Sequence, residues 1–155
     1  MINILYIIYL LYMSSNYIQT KLDDSNFPII KITLGTTIKD EDDFNNITNF
    51  WLKQYLHKKF FYIVFDTSNI KKLPLTYLYK LGKFVGNLKK IKIQYLKTSI
   101  ILIKSNFVRK LYSLYLKIQG PLSKIYIVKE ENDIYIITSK LLKNENILGY
   151  TEYNP

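Results

Sequence analysis

A run of apolar and aromatic residues at positions 60–65 ends abruptly at Asp66, and it constrains the fold more than any other stretch. A short apolar run bounded by polar turn residues is typical of a strand buried on both faces, as inside a parallel sheet. In open α/β sheets, ligands bind beyond the carboxyl ends of the strands, so Asp66 is expected at the rim of a site. The candidate ligand- or partner-binding residues are Asp66, Thr67, Ser68, Asn69 and, in the segment that follows, Thr76.

Several other segments have strand composition. Residues 17–22 and 29–34 flank the polar cluster 23–26, so together they predict an N-terminal hairpin. Residues 99–103 and 125–128 repeat the all-apolar character of the first run and predict two further buried strands.

The first helix is predicted to begin at the acidic cluster 40–43, because carboxylates cap free amides and complement the helix dipole. A metal site is the alternative, but consecutive carboxylates on a helix project in different directions, so capping is favoured. The single histidine, His57, follows this helix in a solvent-facing or capping position. The predicted core face comprises Phe44, Ile47, Trp51 and Tyr55.

Two more helices are predicted from apolar stripes. One begins near Pro74, which suits a first helical turn, and buries Leu78, Leu81, Val85 and Leu88. In this helix Gly82 and Gly86 are expected to allow close approach to the sheet. The next is capped by Ser105 or Asn106 and is predicted to bury Phe107, Leu111, Leu114 and Ile118.

Residues 130–143 fit two secondary structures. Positions 134–138 have strand composition, but the same segment also carries a helical apolar face, and we predict a helix capped by Asn132. Strands that alternate with helices predict an α/β fold with a mostly parallel central sheet flanked by helices and an N-terminal hairpin.

The chain divides into an apolar N-terminal segment (1–15), an α/β domain (16–143) and a polar tail (144–155) that is expected to be loose. The apolar run at 4–13 is shorter than the ~20 residues that span a bilayer. A sheet-edge element, a peripheral membrane anchor and sequence upstream of the true start remain open alternatives for it.

The formal charge of +10 is unevenly distributed, because fourteen Lys or Arg and no Asp or Glu lie between Thr67 and Lys129. Such a block attracts phosphates of lipid or nucleic acid. A solvated lysine surface is the simpler interpretation, since abundant Lys, Asn, Ile and Tyr are typical of an AT-rich genome. The candidate basic surface comprises Lys71, Lys72, Lys80, Lys83, Lys89, Lys90, Arg109 and Lys110.

The chain contains no cysteine, which excludes disulfides, thiolate metal ligands and cysteine nucleophiles. This composition fits a reducing compartment, so we expect an intracellular, cytoplasmic protein, with peripheral membrane association as the alternative. No nucleophile–base pair or metal-ligand pattern stands out, and we therefore expect no enzymatic activity, no cofactor and no metal.

Two stretches carry a resemblance to a known family. Ile29-Ile30-Lys31-Ile32-Thr33-Leu34-Gly35 is similar to the opening strand of STAS domains, the sulphate-transporter and anti-sigma-factor-antagonist modules, and Phe61-Tyr62-Ile63-Val64-Phe65-Asp66-Thr67-Ser68 resembles their strand followed by Asp-Leu-Ser. The spacing to the strands at 100–103 and 125–128 also fits. The resemblance covers about residues 27–143, and the lipid-binding CRAL-TRIO fold is a more distant relative in appearance.

This resemblance implies a small non-catalytic regulatory module that binds another protein, or a small anionic ligand, at the loop after Asp66. One family feature does not carry over. Bacterial members place a phosphorylatable serine within Asp-Ser-Ser-Gly at the start of the next helix, where this chain reads Leu73-Pro74-Leu75-Thr76-Tyr77. Binding to an anionic membrane surface is the alternative function, and nucleic-acid binding is less favoured because Arg109 is the chain's one arginine.

Overall fold

The computed structural model describes residues 4, 5, 7 and 17–155. Within 17–155 the strands are β1 (Lys21–Asp23), β2 (Ile29–Thr33), β3 (Phe61–Asp66), β4 (Leu96–Leu102), β5 (Lys124–Val128) and β6 (Thr151–Tyr153). The helices in the same range are α1 (Glu41–Gln54), α2 (Leu75–Leu88), α3 (Asn106–Ile118) and α4 (Glu131–Leu142), with a 3-10 turn at Tyr55–His57.

All six strands form one sheet in chain order. Strands β2 to β5 pair in parallel, while β1 and β6 pair antiparallel at the two edges. The expected α/β fold with a mostly parallel sheet and an N-terminal hairpin is confirmed. The first arm of the hairpin is shorter than the predicted 17–22 and continues to Asp23, inside the expected turn cluster.

The strand order places most of the helices on one side of the sheet. Parallel strands that follow one another are joined by right-handed crossovers, so α1, α2 and α3 all cover the same face. Their core side chains pack with Ile30, Ile63 and Ile101 from that face. Helix α4 packs against the opposite face, where Val64 and Ile100 contact Ile137.

Strand β3 is internal, as the sequence predicts, with β2 and β4 as its neighbours. Phe61 and Ile63 are fully buried under α1 and α2. Strand β4 is even more deeply buried, because only Lys97 among its seven residues is exposed. It begins at Leu96, three residues before the predicted start.

The acidic cluster at 40–43 caps α1. The Asp40 side chain accepts a hydrogen bond from Asp43 N (3.0 Å), and the Asp43 carboxylate accepts from Lys39 N (2.9 Å) and Tyr17 Oη (3.2 Å). The first contact satisfies an amide that the helix leaves free, and the others fix the chain just before the N-cap. The predicted core face is also confirmed, since Phe44, Ile47, Trp51 and Tyr55 are all buried.

The predicted buried stripe of α3 is wrong. Val108 and Tyr115 are the buried residues, with Tyr112 partly buried beside them, whereas Phe107, Leu114 and Ile118 are exposed. Both sets have helical spacing, and the sequence pattern favoured the set without tyrosines. The sheet instead buries tyrosine rings, whose large apolar area stabilises the core even though they carry a hydroxyl.

The two glycines of α2 approach a helix rather than the sheet, which corrects a further prediction. A Cβ placed on Gly82 would lie 3.1 Å from Cγ2 of Ile118, and one on Gly86 would lie 3.2 Å from Oε1 of Gln119. The absent side chains therefore let α2 and the end of α3 pack closely, on the same face of the sheet.

The carboxyl-terminal part of the chain departs from expectation in two details. Residues 131–142 are helical as predicted, but the N-cap is Glu130 without a side-chain hydrogen bond, and Asn132 lies inside the helix. The tail is not wholly loose, because β6 pairs with β5, and Lys124 forms an ion pair of 3.5 Å with Glu152.

The predicted apolar segment at 4–13 falls largely outside the described residues. Among the residues that the structure describes, no helix is both long and apolar enough to cross a membrane.

Candidate functional site

Asp66 lies at the carboxyl end of β3, at the rim predicted from the sequence, but its carboxylate is engaged by the protein itself. The side chain is only 10% exposed. Its Oδ1 accepts a hydrogen bond from Ser68 N (3.0 Å), and its Oδ2 lies 3.5 Å from Nζ of Lys31 on β2. These contacts fix the turn after β3 and tie it to the neighbouring strand.

Two opposing effects set the charge state of Asp66. Burial alone would raise the pKa of this carboxyl, but hydrogen bonds from Ser68 and the nearby Lys31 ammonium outweigh it, and the pKa falls below its ordinary value of 3.8. The group is therefore a carboxylate near neutral pH. A general acid needs a raised pKa, so this environment suits a structural anion rather than a proton donor.

Two of the other predicted partner-binding residues also serve the fold. Thr67 is buried, and its hydroxyl donates to the carbonyl oxygen of Leu102 (2.5 Å), while Asn69 Nδ2 donates to the carbonyl oxygen of Leu34 (3.4 Å). Ser68 and Thr76 are exposed. The rim therefore presents a fixed loop whose surface is formed by Ser68 and by the first turn of α2.

The predicted basic residues do not form one continuous surface. Lys71 and Lys72 precede α2, whereas Lys89 and Lys90 follow it, about 20 Å away along a helix of this length. Lys80 is paired with Glu41 at the start of α1. Lys83 is exposed on α2, and Arg109 and Lys110 are exposed on α3.

Acids from outside the acid-free block neutralise part of its charge. Three of the fourteen cations between Thr67 and Lys129 form ion pairs in the described part of the chain: Lys80 with Glu41, Lys104 with Glu131, and Lys124 with Glu152. The remaining charge is concentrated on loops and on the outer faces of α2 and α3.

His57 has the predicted exposed position at the end of α1, and its ring lies 4.7 Å from that of Phe27. The Asp40–Asp43 contacts account for two of the clustered carboxylates as helix caps. Among residues 4, 5, 7 and 17–155, no group of three or more His, Cys, Asp or Glu could hold a metal ion.

Sequence reasoning missed a row of exposed apolar side chains along the contact between α2 and α3. We call it the seam row: Leu75, Tyr79, Phe107, Leu114 and Ile118, which are between 40% and 62% exposed. Helices α2 and α3 meet where Gly82 faces Ile118. The 3.6-residue period puts the two α2 members on the Gly82 side of that helix and the other three on the Ile118 side of α3.

Cations lie beside the seam row on both helices. Lys83 follows Tyr79 by one turn on α2, and Lys110 and Lys117 lie next to Leu114 on α3, all three exposed. The sequence signal for an exposed apolar surface of this kind is a helix with two apolar stripes, because the core can bury only one of them. On α3 this signal was assigned to the core instead.

The chain was also compared with known proteins. No family model matches the sequence, and no curated protein or solved structure matches the chain.

Replacement of Asp66 by Asn tests the structural role of its carboxylate. We expect Asp66→Asn to lower the free energy of unfolding by about 1–2 kcal/mol near neutral pH, because the acceptor for Ser68 N loses its charge and the ion pair with Lys31 is removed. Since the folded pKa is lowered, this stabilisation is present above the ordinary pKa and is lost as pH falls through the folded value. The difference between the proteins should therefore shrink in acid, as urea unfolding at several pH values would measure.

The matched control is Glu145→Gln, which removes an exposed carboxylate from the segment after α4. It should change stability by less than about 0.5 kcal/mol. Equal stability of Asp66→Asn and wild type across this pH range would contradict the role assigned to Asp66.

Proposed function

We propose that this protein is a non-enzymatic, STAS-like regulatory module that binds another protein through the seam between α2 and α3. The seam row carries the proposal. Five large apolar side chains exposed along one contact between neighbouring helices are typical of an interaction surface. The element order, with strands and helices alternating along the chain, supports the family resemblance.

The chemistry of the seam indicates the kind of partner. Leu75 and Tyr79 lie one helical turn apart on α2, and Leu114 and Ile118 lie one turn apart on α3. An amphipathic helix presents apolar side chains at the same spacing of three or four residues, so it matches these anchors. Lys83 and Lys117 border the row, and the whole stretch from Thr67 to Lys129 contains no acid. The partner segment we infer is therefore an amphipathic helix with acidic residues beside its apolar face.

The rim after β3 extends this surface. Leu75 is the first residue of α2 and stands next to Thr76, while Lys71 and Lys72 lie in the preceding loop. Ser68 N donates to Asp66, so the Ser68 side chain lies on a turn with a fixed backbone. A fixed loop loses little conformational entropy when a partner binds. Ser68, Thr76 and both lysines are thus the polar border of the seam at this end.

Binding to an anionic membrane surface is the second candidate function, because apolar side chains flanked by lysines also suit a lipid headgroup layer. Arg109 and Lys110 on α3 add to that charge. The favoured occupant is nevertheless a protein segment. The apolar members are arranged in a row along two helices rather than over a broad face, and Lys80 is neutralised by Glu41.

Site-specific photocrosslinking tests the proposed protein partner. A photoreactive amino acid replacing Leu114 should capture one protein in an extract of the native cells, and Lys110→Glu with Lys117→Glu should reduce capture at least about tenfold, because an acidic partner would be repelled. The matched control places the same group at Tyr135, which is 71% exposed on α4 beneath the opposite face of the sheet.

Flotation with vesicles of phosphatidylcholine and phosphatidylserine provides the second measurement. We expect no vesicle binding that depends on Lys110 and Lys117. Identical capture at positions 114 and 135 would contradict the protein-binding proposal. Lysine-dependent binding to the anionic vesicles would favour the membrane function instead.

A further inference from the structure

The end of the sheet opposite the Asp66 rim carries a second group of exposed apolar side chains. We call it the amino-end patch, because it lies on the loops that lead into β3 and β4 and on the start of β4. Its apolar members are Leu56, Phe60 and Ile93, which are 79%, 54% and 54% exposed. Its cations, all of them exposed, are Lys58, Lys59, Lys92 and Lys97.

A hydrogen bond joins the two loops of the patch. The Tyr55 hydroxyl donates to Oε1 of Gln94 (3.1 Å), and Nε2 of Gln94 donates to the carbonyl oxygen of Leu88 at the end of α2 (2.5 Å). Leu56 directly follows Tyr55, and Ile93 directly precedes Gln94. The two exposed aliphatic side chains therefore belong to neighbouring loops that are anchored to one another, so little conformational entropy is lost when a partner binds them.

Phe60 and Lys97 connect the apolar part of the patch with its cations. The Lys97 ammonium lies 3.8 Å from the centroid of the Phe60 ring, and the Tyr95 ring centroid lies 6.3 Å from the same point. Such a contact between a cation and an aromatic face is attractive. At a membrane surface, an apolar ring enters the acyl boundary while a lysine beside it extends its ammonium to the lipid phosphates.

The acids at this end of the sheet are engaged by other groups. Asp24, in the turn before β2, lies 3.4 Å from Nζ of Lys53, and Asp23 accepts hydrogen bonds within the same turn. Glu152 on β6 lies 3.5 Å from Nζ of Lys124. Within the part of the chain that the structure describes, none of the four patch lysines forms an ion pair. The patch therefore presents uncompensated positive charge.

We propose that the amino-end patch docks this protein on an anionic phospholipid bilayer. Leu56, Phe60 and Ile93 enter the boundary between headgroups and acyl chains, and the four lysines bind lipid phosphates around them. Apolar area and positive charge contribute together to binding of this kind. Nucleic acid is the less suitable ligand, because Leu56 and Ile93 have no ring to stack on a base and the Lys97 ammonium lies over Phe60. The docking uses no residue of the seam row.

Flotation of the full chain with vesicles of phosphatidylcholine and phosphatidylserine tests the charged part of the proposal. We expect binding to these vesicles, and binding at least about tenfold weaker to phosphatidylcholine alone. Lys59→Gln with Lys92→Gln should weaken binding to the anionic vesicles about 25-fold, or about fivefold for each lysine. The matched control, Lys71→Gln with Lys72→Gln, removes the same charge from exposed positions at the opposite end of the sheet and should weaken binding less than about threefold.

Leu56→Gln tests the apolar part of the patch. It should weaken binding to the anionic vesicles about tenfold, because less apolar area enters the bilayer. Leu148→Gln is the matched control and should leave binding unchanged, since Leu148 is 80% exposed in the segment after α4. Both side chains project into solvent, so both variants should keep the melting temperature of the wild type.

Three results would overturn the proposal. In the first, the wild type does not float with the anionic vesicles at low ionic strength. In the second, the two double-lysine variants weaken binding equally, which would indicate attraction by net charge alone. In the third, Leu56→Gln binds the vesicles as tightly as the wild type. Binding of a single-stranded oligonucleotide that depends on Lys59 and Lys92, without vesicle binding, would assign the patch to nucleic acid instead.

Discussion

Parallel pairing of β2, β3, β4 and β5 is the constraint on which the rest of the structure depends. Backbone groups in these strands are satisfied only by their neighbours, and both faces of such a sheet must be shielded from water. Because the strands follow chain order, the crossovers place α1, α2 and α3 on one face and leave the other to α4. The seam row and an apolar cavity of about 140 Å³ between these helices and the sheet both belong to the three-helix side.

The same arrangement explains why the predicted rim is not the most open part of the molecule. Asp66 stands at the carboxyl end of β3, but Ser68 and Lys31 use its charge to secure the turn. Thr67 donates to Leu102 across to β4. A row of exposed apolar side chains lies outside α2 and α3, and an apolar cavity lies between the sheet and α1, α2 and α3.

Structural features that depend on residues close together in the sequence could be predicted. Acidic capping of α1 depends on contacts within four residues, and the buried run ending at Asp66 needs only its own composition. The sequence predicts a helix within 130–143 against competing strand composition, because Ile134, Ile137 or Thr138, and Leu141 make one helical face, and the structure has the helix at Glu131–Leu142. In each of these features the local preference of the sequence agrees with the final fold.

Features that depend on a neighbouring element could not be predicted. Helix α3 has two apolar stripes, and only the sheet and α2 decide that Tyr115 is buried while Leu114 is exposed. Gly82 and Gly86 reveal a close contact, but their partner could be a strand or a helix until α3 is positioned. Strand β6 exists because β5 offers an unpaired edge, and the polar residues 151–153 contain no signal of that pairing.

Native-state amide hydrogen exchange tests the central claim that β3 and β4 form the interior of a sheet whose edges are β1 and β6. We predict that the amides of Ile63, Val64 and Ile100 exchange only through global unfolding, with a free energy equal to that measured by denaturant. Amides of residues 21–23 and 151–153 should exchange through local opening, at least about a hundredfold faster. Exchange of the β3 amides at the rate of the edge strands would contradict this architecture and the roles built on it.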